Sequence, residues 1–236
     1  MAFQWIRSLI FIAQMYLLMA AMALLVTPFA LFFRQAAHWG IRVYCQWVRW
    51  SAAGLVGLKS EIRGEIPQGN TLICSKHQSF FDIIIICSVV KYPRFIMKRE
   101  ILRLPIAGYY ARRIGCIPVD RGRGSMAVRQ MLDGVKTDFP SPGPLIIFPQ
   151  GTRVAPGVWK RYRIGASLLY EIYDYRCVPA ATNVGIFWPR AAILRRPGTA
   201  VVEFLEPIEG QMPQGDFLRK LEDMVETNSN RLMDHT

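Results

Sequence analysis

The chain has 236 residues, enough for one sizeable domain with its own core, and 52% of them are hydrophobic. Its mean hydropathy of +0.19 is high for a purely soluble protein and points to a membrane segment. The 29 Lys and Arg residues outnumber the 17 Asp and Glu residues, so the net charge of +12 indicates an anionic partner. The sequence lacks zinc-finger, basic-zipper and RNA-recognition patterns, so we expect a membrane surface or a phosphorylated substrate and no nucleic acid.

The five cysteines are scattered, odd in number and never spaced as C-x-x-C. This pattern argues against a metal site or a disulfide framework, and it favours a reducing compartment. We expect the cysteines to be small buried hydrophobic residues.

The N-terminal region contains 25 residues without formal charge, Leu9 to Phe33. As a helix this run reaches roughly 37 Å, against roughly 30 Å of bilayer hydrocarbon. A second apolar stretch, Ile41 to Leu58, carries arginines and tryptophans that suit the membrane interface. Two topologies fit: a single span followed by an interfacial helix, or a hairpin that dips into one leaflet and returns. We favour the hairpin, bent near Pro28, because proline breaks helices and both flanks of the apolar run are basic.

Beyond about residue 60, short β-rich runs alternate with helical patterns, which is typical of an α/β fold. We therefore divide the chain into an anchor, residues 1–59, and a catalytic domain, residues 60–236. The predicted strands are Thr71–Ser75, Arg94–Met97, Gly115–Val119, Leu145–Phe148, Val178–Val184 and Ala200–Leu205. The predicted helices are Ile83–Val90, one capped by Ser125, Ile164–Tyr173, and one from Asp216 onward.

The first chemical motif joins His77 to Asp82, which follows it by five residues at the start of a predicted helix. The carboxylate can accept a hydrogen bond from one imidazole nitrogen and leave the other free as a base. This arrangement is the orienting half of a catalytic triad without its serine, and it suits a substrate that brings its own hydroxyl. Asp82 could instead be only a helix cap, so this motif alone is weak evidence.

Two further segments are predicted phosphate-binding sites. The run from Gly115 to Arg121 predicts a strand that ends in a basic glycine loop before a helix N-terminus, where anions bind well. The run from Leu145 to Arg153 predicts a buried strand, a sharp turn and a terminal arginine able to hold a phosphate with paired N–H groups. A later strand, from Val178 to Gly185, is apolar enough to line a pocket.

Taken together, these segments resemble the glycerolipid acyltransferase family in order and approximate spacing. The first resembles that family's H-x-x-x-x-D motif, and the second its G-x-I-x-V-D-R block. The third is similar to its F-P-E-G-T-R block and the fourth to its V-P block at Val178 and Pro179. The resemblance covers roughly residues 60 to 207. One position departs from it, since Gln150 stands where the family usually has glutamate, so this side chain cannot be an acid or a base.

The resemblance implies a mixed sheet flanked by helices and an acyl transfer from acyl-CoA or acyl carrier protein to the sn-2 hydroxyl of a lysophosphatidate. It implies that His77 is the general base and that Asp82 orients it. It requires no metal or cofactor, because the thioester is already activated. The residues that it assigns to substrate binding are Lys98, Arg121, Gln150, Gly151, Thr152 and Arg153.

Some alternatives stay open at this point. The acceptor could be another lysolipid, such as a lyso-ornithine lipid, or glycerol-3-phosphate, and the chain could be a non-catalytic membrane protein that binds anionic lipids. The basic cluster from Trp159 to Arg163 could meet the donor's phosphates or an acidic carrier protein, or it could be a solvated face. We expect a bacterial inner membrane protein with its catalytic domain on the cytoplasmic side.

Overall fold

The computed structural model describes residues 2–120, 122, 124–137 and 142–234. Its α-helices are α1 (Ala2–Phe32), α2 (Arg34–Val56), α3 (Phe81–Val89), α4 (Pro105–Arg113), α5 (Gly124–Thr137), α6 (Gly165–Ile172) and α7 (Gln214–Asp234). Its strands are β1 (Leu58–Arg63), β2 (Leu72–Ser75), β3 (Arg94–Lys98), β4 (Ile117–Val119), β5 (Leu145–Ile147), β6 (Arg176–Thr182), β7 (Gly198–Phe204) and β8 (Ile208–Glu209). Two short 3-10 helices cover Arg99–Arg103 and Val184–Ile186.

The strands form one mixed sheet in the order β1-β7-β6-β2-β5-β3-β4, and β8 pairs with β6. Strands β6, β2, β5, β3 and β4 run parallel to their neighbours in that order, whereas β7 runs antiparallel to β6. The prediction of an α/β fold with a mixed sheet is confirmed, and all six predicted strands are present. Two strands were missed: β8 has only two residues, and β1 is an edge strand whose Lys59, Glu61 and Arg63 conceal its apolar positions.

The central strands are buried on both faces because helices cover the sheet on each side. In β2, Ile73 packs with α2 and α3, whereas Leu72 and Cys74 pack with α5, α6 and α7. In β5, Ile146 faces the side of the sheet covered by α2 and α3, whereas Leu145 and Ile147 face the side covered by α5, α6 and α7. Side chains on a strand alternate between faces, so a strand covered on both sides reads as a continuous apolar run. Cys45, Cys74, Cys87 and Cys177 are buried, as predicted, and Cys116 is half-buried.

The N-terminal region is a pair of packed helices, α1 and α2. The chain turns at Phe33, whose backbone is extended, and not at Pro28, which lies inside α1. The predicted bend at proline was therefore wrong in position. The guanidinium of Arg113, from α4, donates to the carbonyls of Ala30 and Leu31, so the last turn of α1 finds partners that its own helix does not supply. Helix α2 ends at Gly57, which adopts a left-handed backbone with φ of 71°.

The two faces of α1 differ in polarity. One polar residue of α1 joins it to α2: Gln14 donates to the Ser51 hydroxyl at 3.0 Å and accepts from the Trp47 indole at 3.0 Å. Its outer face exposes large apolar side chains, with Leu24 at 78% and Phe32 at 79%. In the described part of the chain, α1 is the helix that is long and apolar enough to cross a membrane.

One glycine offers a test of how β1 joins the sheet. Gly64 follows β1 with φ of 74°, and a Cβ there would lie 1.9 Å from the carbonyl oxygen of Phe204 in β7. We expect Gly64→Ala to cost roughly 3 kcal/mol more than Gly69→Ala, whose φ is 64° but whose surroundings are open. In detergent, the unfolding midpoint of Gly64→Ala should then fall roughly 6–12 °C below that of Gly69→Ala. Equal midpoints would contradict this close approach.

Candidate active site

The predicted motifs meet at one edge of the sheet. Strands β2, β5, β3 and β4 are neighbours and run parallel, so their carboxyl ends lie side by side. The His77 segment follows β2, the 148–153 segment follows β5, Lys98 ends β3, and Val119 ends β4 beside it. In open α/β sheets, ligands bind at this edge. Segments far apart in sequence are thus brought to a single site by strand order.

The centre of this edge is the pairing of His77 with Asp82. The imidazole Nδ1 lies 3.1 Å and 3.2 Å from the two carboxylate oxygens of Asp82. The carboxylate is fully buried in the first turn of α3, where the backbone N–H groups of Gln78 and Ser79 donate to its Oδ2 at 2.8 and 2.9 Å. Asp82 thus folds back on its own loop, as predicted, and the structure shows that Nδ1 is the nitrogen that faces it. Nε2 is the nitrogen left to meet a substrate.

The plane of the imidazole is set by Phe148, at the end of β5. The two rings stack with centroids 3.9 Å apart and planes 18° apart. The backbone of the same segment is attached as well, since the N–H of Val154 donates to the carbonyl of His77 at 2.8 Å. The side chain of His77 is 11% exposed, so the imidazole is largely buried but still reached by solvent. Phe148 was part of the motif that the sequence singled out, but its contact with the imidazole was not foreseen.

The 148–153 segment turns sharply at Gly151, which has φ of 71° and donates its N–H to the carbonyl of Phe148 at 2.9 Å. The Arg163 side chain lies directly over this glycine: a Cβ on Gly151 would be 2.9 Å from its Nε. Arg153 and Thr152 are half-buried at the end of the turn. No residue in the described part of the chain makes an ion pair with Arg153. Two cationic side chains therefore lie at this turn: Arg153, which the sequence assigned to a phosphate, and Arg163, which belongs to the basic cluster from Trp159 to Arg163.

The remaining predicted binding residues, Lys98 and Arg121, do not belong to the turn at Gly151. Lys98 is half exposed and makes an ion pair with Glu100 at 2.8 Å, although it ends its strand beside Val119. Arg121 lies outside the described residues. Helix α5 begins at Gly124, so Ser125 lies within its first turn and is not the N-cap that the sequence predicted. The substrate-binding roles of these residues stay predictions.

A buried polar cluster next to the site was not predicted. The carboxylate of Glu226, on α7, makes an ion pair with Lys76 and accepts hydrogen bonds from Gln150 at 3.2 Å and from the Tyr162 hydroxyl at 2.9 Å. Lys76 directly precedes His77, and Gln150 directly precedes Gly151. The sequence carries no signal for this cluster, because Glu226 lies 76 residues from Gln150 on the polar side of an amphipathic helix.

Two cavities border the site. A groove of about 1260 Å³ runs from Phe148 and Gly151 toward α7, with apolar walls from β3, β5, α5 and α6. The basic side chains along it are Lys160, Arg161, Arg163 and Arg219. An apolar cavity of about 210 Å³ lies between the α1–α2 pair, α3 and α4, beside Phe80. The larger cavity thus has basic side chains along it, and the smaller one is apolar.

An imidazole oriented by a buried carboxylate at the carboxyl edge of an α/β sheet defines a site for proton abstraction from a substrate. The sequence profile of the Acyltransferase family matches residues 58–182, more than half of the chain, and the protein belongs to this family. The matched region contains β1 to β6 and all four motifs.

Named relatives narrow the comparison. The chain is 28% identical over 207 residues to a 1-acyl-sn-glycerol-3-phosphate acyltransferase of Pseudomonas aeruginosa, an alignment that covers 84% of this chain and 79% of that one. It is 30% identical over 129 residues to the enzyme of the same name from Helicobacter pylori, with 53% of each chain covered. The crystal structure of the 1-acyl-sn-glycerophosphate acyltransferase PlsC from Thermotoga maritima superposes with a TM-score of 0.80 over 98% of both chains at 19% identity, so the two share a fold.

The stacking of His77 on Phe148 can be tested directly. We expect Phe148→Leu to lower kcat by about tenfold, because an apolar side chain without a flat face leaves the imidazole less well oriented. Phe95→Leu is the matched control: its ring is also buried and lies 6.2 Å from the Phe148 ring. Steady-state kinetics of both variants give the comparison. An equal loss in the two variants would show that general packing, and not the stacking, matters.

Proposed function

We propose that the protein transfers an acyl group from a thioester donor to the sn-2 hydroxyl of 1-acyl-glycerol-3-phosphate and forms phosphatidate. The observation that carries this proposal is the His77 imidazole, held through Nδ1 by a buried carboxylate, with Nε2 left for a substrate. The nearest serine hydroxyls do not complete a triad, since those of Ser75 and Ser79 are buried and bonded to backbone groups. The choice of 1-acyl-glycerol-3-phosphate as the acceptor rests on the names of the relatives.

The reaction follows from that geometry. Nε2 of His77 removes the proton of the acceptor hydroxyl as its oxygen attacks the thioester carbonyl. The carbon–sulfur bond of the resulting tetrahedral species then breaks, and the imidazolium returns the proton to the leaving thiolate. Asp82 holds the ring in the required tautomer and stabilises the imidazolium while it exists. One ester bond forms and one thioester bond breaks, so the reaction needs no further reactant.

For the acceptor phosphate, we propose the turn that contains Gly151 and Arg153. An arginine can bind a phosphate with paired N–H donors, and holding the phosphate fixes where the hydroxyl lies relative to His77. Arg163 extends the same positive surface over Gly151. Lys98, Thr152 and Arg121 remain candidates for the same task. The basic side chains of the groove suit the phosphates of either donor, coenzyme A or an acyl carrier protein.

For the setting of the enzyme, we propose a bacterial inner membrane with the catalytic domain on the cytoplasmic face. The outer face of α1 is apolar and exposed, and the small cavity beside Phe80 offers apolar surroundings for a lipid tail. Because acceptor and product both reside in a bilayer, a site next to an apolar helix pair can reach them from the leaflet surface. Residues 1–59 would then be the anchor and residues 60–236 the catalytic domain.

Removal of the base tests the reaction itself. With lysophosphatidate and labelled acyl-CoA, we expect the wild-type protein to form labelled phosphatidate and His77→Ala to lose several powers of ten in rate. Asp82→Asn should lose about 10⁴-fold, by analogy with triads, because the amide no longer accepts a hydrogen bond at both atoms. Asp133→Asn is the matched control, since the side chain of this aspartate is exposed on the surface of α5, where it makes a long ion pair with Arg129.

Two outcomes of that assay would change the proposal. Near-normal turnover by purified His77→Ala would exclude the mechanism. No product from the wild type with acyl-CoA would call for acyl carrier protein donors and then for other acceptors, such as lyso-ornithine lipid and glycerol-3-phosphate. Failure with all of them, together with binding of anionic lipid that His77→Ala leaves unchanged, would identify a non-catalytic lipid-binding protein.

The phosphate site has its own test. We expect Arg153→Ala to raise KM for lysophosphatidate by about tenfold or more while the donor KM changes little, because a charge-assisted hydrogen bond is worth roughly 1.5–3 kcal/mol. Arg176→Ala serves as the control, since this exposed arginine begins β6 and lies at the opposite edge of the sheet. A loss of equal size with an acceptor that lacks the phosphate would contradict the assignment.

A further inference from the structure

The cluster around Glu226 holds two segments of the site at once. One carboxylate oxygen of Glu226 accepts from Gln150 and Tyr162, and the other pairs with Lys76. The side chains of Lys76 and Glu226 are 2% and 16% exposed, so water screens this ion pair weakly. Through Lys76 the carboxylate is tied to the loop that carries His77, and through Gln150 to the turn that carries Gly151.

The charges in this cluster balance only because residue 150 is neutral. The nitrogen of the Gln150 amide faces two acceptors, the Glu226 carboxylate at 3.2 Å and the Lys160 carbonyl at 3.5 Å, so this side chain acts as a donor. Tyr162 is also a neutral donor, because burial and then the charge of Glu226 raise the pKa of its hydroxyl. The cluster therefore contains one buried ammonium group, one carboxylate and two neutral donors.

We propose that Glu226 is a positioning residue of the acyl transfer, which acts by fixing the loop of the base against the turn of the phosphate site. This inference rests on the proposed function. A glutamate at position 150 would place a second carboxylate about where the amide nitrogen now lies, 3.2 Å from Glu226, whose paired cation is the buried Lys76. Gln150 is thus the neutral partner that a carboxylate on α7 requires.

The test exchanges the two side chains. In Gln150→Glu two carboxylates repel each other, and in Glu226→Gln a buried Lys76 loses its counter-charge. We expect each single variant to lower kcat by about tenfold or more, with the donor KM unchanged, because the base and the acceptor are misaligned. The double variant Gln150→Glu/Glu226→Gln restores one carboxylate and one amide, so its kcat should return to within about threefold of wild type, a coupling of the size seen for residues in contact.

Two controls separate positioning from folding. Asp223→Asn changes an exposed carboxylate on the same helix, away from the groove and the cluster, so its kinetics should match wild type. Tyr162→Phe removes one neutral hydrogen bond and leaves the charges intact, so it should fold and show a smaller loss in the same direction. Rates are normalised to the folded fraction from unfolding curves, because a variant that only unfolds keeps its kcat per folded molecule.

A readout without substrate distinguishes failure of this inference from failure of the proposed function. The reaction of His77 with diethyl pyrocarbonate, followed by mass spectrometry of its peptide, reports the setting of the imidazole whatever the acceptor is. We expect an altered rate in both single variants and a wild-type rate in the double variant. Single variants that match wild type in this reaction and in kcat, or a double variant as impaired as the two losses combined, would overturn the role of Glu226.

Discussion

The site depends on one buried carboxylate. Removing a carboxylate from water costs several kcal/mol unless its oxygens are satisfied, and Asp82 is satisfied by two backbone N–H groups and one imidazole of its own loop. His77 lies only five residues before Asp82, so the loop between them forms these hydrogen bonds without help from a distant segment. The orientation of the base is thus a consequence of the cost of leaving Asp82 unpaired in the interior.

The order of strands in the sheet brings other segments of the chain to the His77–Asp82 loop. Parallel order places the ends of β2, β5, β3 and β4 at one edge, and the ring of Phe148, directly after β5, then stacks on an imidazole that follows β2. Helix α7 closes the other side through Glu226, which joins the segments after β2 and β5. Each of these contacts adds a constraint on His77 from a different part of the chain. The region that matches the acyltransferase family contains the segments after β2 and β5, whereas α7 lies outside it.

The α1–α2 pair is attached to the domain by its polar side chains and leaves one apolar face exposed. Its few polar side chains bond between the two helices or to the domain, as Gln4 does with the carbonyls of Val56 and Arg195, so the outer face of α1 remains apolar. The apolar cavity lies where this pair meets α3, the helix that carries Asp82. The apolar helix pair and the helix that carries Asp82 thus line the same cavity.

The sequence by itself determined the α/β class, six of the strands and the pairing of His77 with Asp82, because periodicity and short spacing are local properties that survive without tertiary context. It misplaced the turn between α1 and α2, since the end of α1 is completed by Arg113, 80 residues beyond Phe33. It also gave no partner for Gln150 and none for the imidazole face, because Glu226 and Phe148 reach them only through strand order and helix packing. The partners of a buried charge such as the Glu226 carboxylate come from distant parts of the chain, so only the tertiary structure identifies them.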